Sequence, residues 1–127
     1  MRLRNIPGAD EAIADSPHCI QEPMAEKGRW HLIFGNENPI HIEIGMGKGQ
    51  FIMKLAKEHP DINYIGIERY SSVLLRALQK MEIEPLPNIR FLCMDASIIT
   101  EVFDKEEVAK IYLNFSDPWP KERHAKR

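Results

Sequence analysis

From residue 40 onward, short apolar runs alternate with longer stretches in which apolar positions recur every three to four residues. The runs at 40–45, 62–68, 88–94 and 109–115 predict strands. The stretch over about 49–59, with Phe51, Ile52, Leu55 and Ala56 on one side, predicts a helix that Pro60 stops after His59. A second helix over about 71–82 carries Val73, Leu74, Ala77, Leu78 and Met81, with Ser71 and Ser72 as its expected caps. A short helical segment is expected around 97–104. Strands that alternate with helices predict a parallel sheet with helices on both faces, because parallel neighbours need a crossover between them.

Residues 1–39 have weak periodicity and scattered prolines (Pro7, Pro17, Pro23, Pro39), which predicts an irregular N-terminal extension with a short helix near 28–34, covering one edge of the core. Residues 40–127 then form the second unit. Its last strand is apolar on both alternating faces, as an interior parallel strand should be. In the order 3-2-1-4 that strand would be an exposed hydrophobic edge, which intact proteins avoid. The expectation is that the chain is the N-terminal part of a longer protein, holding only the first four strands and truncated at its C-terminal end, or that it assembles through that edge.

The first strand runs into Glu43-Ile-Gly-Met-Gly-Lys-Gly49, three alternating glycines that open a helix. Gly45, Gly47 and Gly49 place backbone N–H groups at a helix N-terminus, where a ligand can approach the main chain. The bland alternative is a tight strand–helix turn. Against it stands Glu68, which ends the second strand 19 residues after Gly49, where a carboxylate can accept both ribose hydroxyl protons. A P-loop fails because Gly49 stands where Ser or Thr belongs, and a dinucleotide fingerprint fails by one residue in the third glycine. The spacing favours another adenosine cofactor.

Asp95 and Asp117 end the third and fourth strands, so Glu43, Glu68, Asp95 and Asp117 are expected to converge outside the carboxyl ends of the sheet. Asp95 is either an adenine-edge contact or the cap of the following short helix. Asn114-Phe-Ser-Asp-Pro-Trp-Pro120 places a carboxylate and an indole between stiffening prolines, either as a rigid loop or as a pocket that stacks a base. Lys121, Arg123, His124, Lys126 and Arg127 follow it, a basic cluster that either is solvated or meets phosphates.

The 127 residues, 43% hydrophobic and 28% charged, suit one soluble domain, and the net charge of −2 by itself points to no polyanionic partner. Neither an apolar run of membrane-spanning length nor a secretory leader is visible, so a cytoplasmic protein is expected. Cys19 and Cys93 lack partners at metal-ligand spacing and read as reduced thiols; no metal is expected.

Residues 43–49, Gly66-Ile-Glu-Arg69, Met94-Asp-Ala96 and 114–127, with Met1-Arg-Leu-Arg4, Trp30 and Phe34-Gly-Asn36, together resemble the bacterial tRNA (guanine-N7)-methyltransferases over essentially the whole chain. The resemblance implies a class I (Rossmann-like) methyltransferase fold that uses S-adenosyl-L-methionine to methylate N7 of a guanosine in the tRNA variable loop. It implies cofactor contacts by Glu43, Glu68, Asp95 and Asp117, a catalytic role for Asp117, substrate contact by Lys121 and RNA contact from Arg123 onward. The later strands and Thr-x-Tyr-Glu-type motif of that family are absent. Two rivals remain: a nicotinamide-dependent dehydrogenase, which lacks the glycine spacing and a proton donor, and an RNA-binding module inactive in this form. Monomer and homodimer are both open.

Overall fold

The computed structural model describes residues 8–114. Four strands, β1 (Ile40–Ile44), β2 (Asn63–Glu68), β3 (Ile89–Cys93) and β4 (Lys110–Leu113), form one sheet in the order β3-β2-β1-β4. Every pairing is parallel, with Ile42 opposite Ile65 and Ile111, and Gly66 opposite Phe91. All six residues of β2 are buried, as expected for a strand flanked on both sides and covered on both faces. The expected strands, their order and the parallel sheet are all present.

Five α-helices dress the sheet: α1 (Ala9–Asp15), α2 (Trp30–Phe34), α3 (Gln50–Glu58), α4 (Ser71–Ile83) and α5 (Ile99–Val102), with 3-10 turns at Pro23–Glu26 and Ala96–Ile98. One face of the sheet, through Tyr64 and Phe91, packs on Ile52 and Ala56 of α3 and on Leu74, Ala77, Leu78 and Met81 of α4. The other face, through Ile40, Ile42, Ile65, Ile67 and Leu92, packs on Trp30, Val102 and Phe103. Helix α3 ends at Glu58 with His59 as its C-cap, just before Pro60, as its sequence dictates.

Two local expectations are corrected. The serines do not cap α4: its N-cap is Tyr70, whose carbonyl accepts from Val73 and Leu74 N–H, while Ser72 is buried inside the first turn. Helix α1 lies where an irregular extension was expected. Only its Ala9 and Ile13 are buried, so its apolar signal is two residues wide and its stability comes from docking on α4.

The segment before β1 covers the outer edge of β3. Phe91 N–H donates to His18 O at 2.8 Å and Ile20 N–H donates to Phe91 O at 3.0 Å, a single parallel bridge that shields an otherwise open edge. Further along, the Glu107 carboxylate accepts from Gly28, Asp104 and Trp30 N–H at 2.8, 2.9 and 3.0 Å, and the Trp30 indole donates to Val102 O at 2.9 Å. At the opposite edge, Ile111 and Leu113 of β4 remain 51% and 64% exposed among the described residues. The expected hydrophobic edge is therefore present.

Asn88 ties the end of α3 to the sheet. Its buried amide nitrogen shares two hydrogens among the carbonyls of Ala56, His59 and Ile62 at 3.0, 3.1 and 2.9 Å, and His59 O also accepts from Ile62 N–H at 3.1 Å. Asn88→Ala is expected to lower unfolding free energy by about 1–3 kcal/mol, because it takes this donor from the carbonyls. Urea unfolding checks it, and a change below about 0.5 kcal/mol would show that they find other partners.

Candidate functional site

The carboxyl ends of β1, β2 and β3 meet at the glycine turn. The ladder between β1 and β2 continues into that turn, where Gly45 and Met46 N–H both donate to Ile67 O at 2.9 and 3.1 Å. The chain then reverses through Gly47 and Gly49, both at positive φ (59° and 84°), before entering α3. The two glycines serve different ends. A Cβ on Gly49 would press on Ala77 and Met46 at 3.1 and 3.2 Å, so this glycine lets α3 approach α4; a Cβ on Gly47 would meet nothing within 4 Å. Open space lies beside Gly47.

Glu68 fixes that turn. Its side chain is almost fully buried, with Oε1 accepting from Gly47 N–H at 3.0 Å and Oε2 from Tyr70 N–H at 3.2 Å. One carboxylate thus pins the glycine turn to the start of α4. Each oxygen retains a lone pair for a further donor. Gly66, two residues earlier on the same face, is glycine because a Cβ there would run into Met46 Sδ, which packs across the strand.

Glu43 is fully buried in the penultimate position of β1. Asn114, which follows β4, donates from Nδ2 to Glu43 Oε2 at 2.9 Å, whereas Oε1 is closed to solvent with no partner among the described residues. Burial raises the pKa of this carboxyl, the Asn114 bond lowers it in part, and the nearby negative charge of Glu68 raises it further. A buried acid with an oxygen unpartnered among the described residues is costly to the fold.

Asp95 takes the capping role that the sequence left open: its Oδ1 accepts from Ser97 N–H at 2.9 Å, and hydrogen bonds from Ser97 hold its pKa below the ordinary value. It nonetheless lies at the same end of the sheet as Glu68. Met94 N–H donates to Glu68 O at 3.2 Å, and the Asp95 carboxylate lies 4.0 Å from the Arg69 guanidinium. Its solvent-exposed side chain leaves the outer oxygen available. Glu43, Gly45, Gly47, Gly49, Glu68 and Asp95 therefore gather at one end of the sheet. Asp117, Lys121, Arg123, His124, Lys126 and Arg127 lie outside the described residues.

The distant partners of Glu43 and Glu68 carry no signal in local sequence. Asn114 is 71 positions from Glu43, and only the parallel pairing of β1 with β4 brings them together. Neither cysteine offers a nucleophile: burial pushes the Cys19 thiol up to about 12 and raises Cys93 as well, so both stay protonated.

A family model described as a putative methyltransferase matches residues 37–127. The tRNA (guanine-N(7)-)-methyltransferase of Lachnoclostridium phytofermentans is 62% identical over 127 residues, covering 100% of this chain and 59% of the relative. That of Bacillus subtilis is 52% identical over 128 residues, covering 100% of this chain and 60% of the relative. The chain thus spans about three-fifths of the length of these curated relatives. Among solved structures, an antibiotic-related methyltransferase superposes with a TM-score of 0.60 at 28% identity over 76% of this chain and 49% of the other. Haemonchus contortus phosphoethanolamine N-methyltransferase 2, solved in complex with S-adenosyl-L-methionine, shares the fold with a TM-score of 0.51 at 21% identity, over 63% of this chain and 18% of that one.

A carboxyl whose folded pKa lies above its unfolded one keeps a proton that the unfolded chain has released. The stability it contributes is therefore present at acid pH and is lost as pH rises through the folded value. Glu43→Gln removes this titration. Thermal unfolding of the parent and the variant is expected to show a midpoint difference favouring the variant progressively as pH rises from the ordinary carboxylate range toward neutrality. A pH-independent difference would contradict the raised pKa of Glu43.

Proposed function

The chain belongs to the putative-methyltransferase family, its fold is that of the class I methyltransferases, and from that premise we propose that it carries the cofactor half of a tRNA (guanine-N7)-methyltransferase. The observation that carries this reading is the grouping at the carboxyl ends of β1 and β2: a glycine turn with open space beside Gly47, gripped by Glu68, and a buried Glu43 with an oxygen that has no partner among the described residues. These groups fit S-adenosyl-L-methionine, a ligand with ribose hydroxyls to donate and an ammonium to pair. The same partners without a methyl-donor site would make an RNA-binding module, the second reading.

When bound, the cofactor supplies an electrophilic methyl group on a sulfonium sulfur. The rest falls to the protein. Glu68 accepts the ribose hydroxyl protons with the lone pairs left free by Gly47 and Tyr70. Asp95 holds the adenine edge. Guanine N7 has an in-plane lone pair at neutral pH and needs no general base, so catalysis is chiefly positioning. Asp117, on the segment that follows Asn114, orients the base and stabilises the positive charge that the ring gains. Lys121 contacts the substrate, and Arg123, His124, Lys126 and Arg127 meet tRNA phosphates. Among the described residues no helix is long and apolar enough to cross a membrane, and no cluster of His, Cys, Asp and Glu could hold a metal ion.

Two substitutions separate the roles. Glu68→Ala is expected to weaken S-adenosyl-L-methionine binding by about 1–3 kcal/mol and to leave tRNA binding unchanged, as read by calorimetry and filter binding. Unaltered cofactor affinity would remove Glu68 from the ribose. Asp117→Asn is expected to lower single-turnover methyl transfer by about 100-fold or more with little change in cofactor affinity. An equal loss in both would assign Asp117 to cofactor binding alone, and tRNA binding without any transfer by the parent would favour the second reading.

A further inference from the structure

Glu43 and Asn114 are not explained by the need to pack β1 against β4. A hydrophobic pair would fill the same space without burying a carboxyl, and the arrangement leaves Oε1 with no partner among the described residues. We propose that the Glu43–Asn114 pair makes ligand binding at this end of the sheet proton-coupled: Glu43 is neutral while the site is empty and ionises when a cationic ligand settles beside it, with Asn114 as the positioning residue. The inference rests on the cofactor reading above and goes beyond it.

The alternation of the sheet defines the surroundings. Glu43 shares its face with His41 on β1, Tyr64 and Glu68 on β2, Cys93 on β3, and Lys110 and Tyr112 on β4. Glu68 is the charge that bears on Glu43, and it opposes ionisation. Lys110 does not offset it: its ammonium lies 4.8 Å over the Tyr112 ring and bears instead on His41, whose pKa burial and that charge lower. Helices α3 and α4, which cover this face, put Ile52, Ala56, Leu74 and Ala77 into the core and no buried cation. Among the described residues, Glu43 and Glu68 bring two carboxyl groups together and none of the groups on this face sets a positive charge against them, so a proton on Glu43 is the cheapest neutralisation there.

A cation arriving there replaces that proton. The O–H bond at Glu43 breaks, the proton goes to solvent, and the carboxylate keeps the electron pair. Asn114 Nδ2 continues to donate to Oε2, and a ligand N–H donor pairs with Oε1. An ammonium has such a donor; a sulfonium has none. Asn114 lowers the cost of the ionised state by a hydrogen bond to charge, which is stronger than one to the neutral acid.

The test is calorimetry of the protein with three probes, S-adenosyl-L-methionine, S-adenosyl-L-homocysteine and methylthioadenosine, in buffers of different ionisation heat. It is run below the α-amino range of roughly 7.7–8.0, so that the ligand ammonium stays charged. The first two probes, which carry the ammonium, are expected to release protons and to bind more tightly as pH rises, by at most about tenfold per pH unit, the limit for one proton. Methylthioadenosine, which lacks the ammonium, should show neither effect. Glu43→Gln should abolish the release although His41 still titrates. Asn114→Leu should move the rise in affinity to higher pH, whereas a purely structural loss would lower affinity equally at every pH. Release with methylthioadenosine, release that survives Glu43→Gln, or a uniform loss in Asn114→Leu would each overturn the proposal. Where Glu43→Gln weakens binding beyond detection, the contrast between probes and the Asn114→Leu profile decide. Binding of all three probes without proton release overturns the coupling alone; binding of none overturns the cofactor reading and the coupling with it.

Discussion

A carboxylate shut inside a protein must be met by donors, and at the end of β2 those donors are backbone N–H groups from two different connections. Glu68 accepts from Gly47 on the β1–α3 turn and from Tyr70 at the start of α4. The placement of both helices at the carboxyl edge of the sheet depends on this clasp. Gly66 lets Met46 pack across β2, and Gly49 lets α3 close on α4, so the turn has little freedom once Glu68 is in place. The glycine turn and the Glu68 carboxylate thereby have fixed relative positions at the carboxyl edge of the sheet.

Most of the architecture was legible in the chain because its strands read as short, mainly apolar runs between helical stretches. Ile40–Ile44, Asn63–Glu68 and Ile89–Cys93 follow that rule, and their parallel order follows from the helices between them. The glycine turn was legible because few residues other than glycine tolerate its backbone angles. What was not legible depends on tertiary contact. Helix α1 has two buried residues, too few for a periodic signal. Ser71 and Ser72 were good capping candidates, yet the chain enters α4 one residue earlier, because Glu68 already satisfies the Tyr70 N–H.

The same distinction holds within the site. The acids Glu43, Glu68 and Asp95 could be named from their places at strand ends, and the cap formed by Asp95 could be offered, whereas distant partners could not. Asn114 meets Glu43 only through the β1–β4 register, Asn88 serves three carbonyls around the end of α3, and Glu107 gathers three N–H groups from two segments. The exposed β4 edge belongs with this picture: Ile111 and Leu113 are core-type residues without cover among the described residues, in a chain that spans about three-fifths of its curated relatives. Asn114 lies at that edge, so the sheet's least covered strand also supplies the donor on which Glu43 depends.

The central claim is that the carboxyl edge of this sheet is a site for a methyl-donor cofactor. Titration calorimetry with S-adenosyl-L-methionine, with a nicotinamide dinucleotide as the control ligand, tests it most directly. The account predicts saturable binding of S-adenosyl-L-methionine and none of the dinucleotide. Equal binding of both, or binding of the dinucleotide alone, would contradict it.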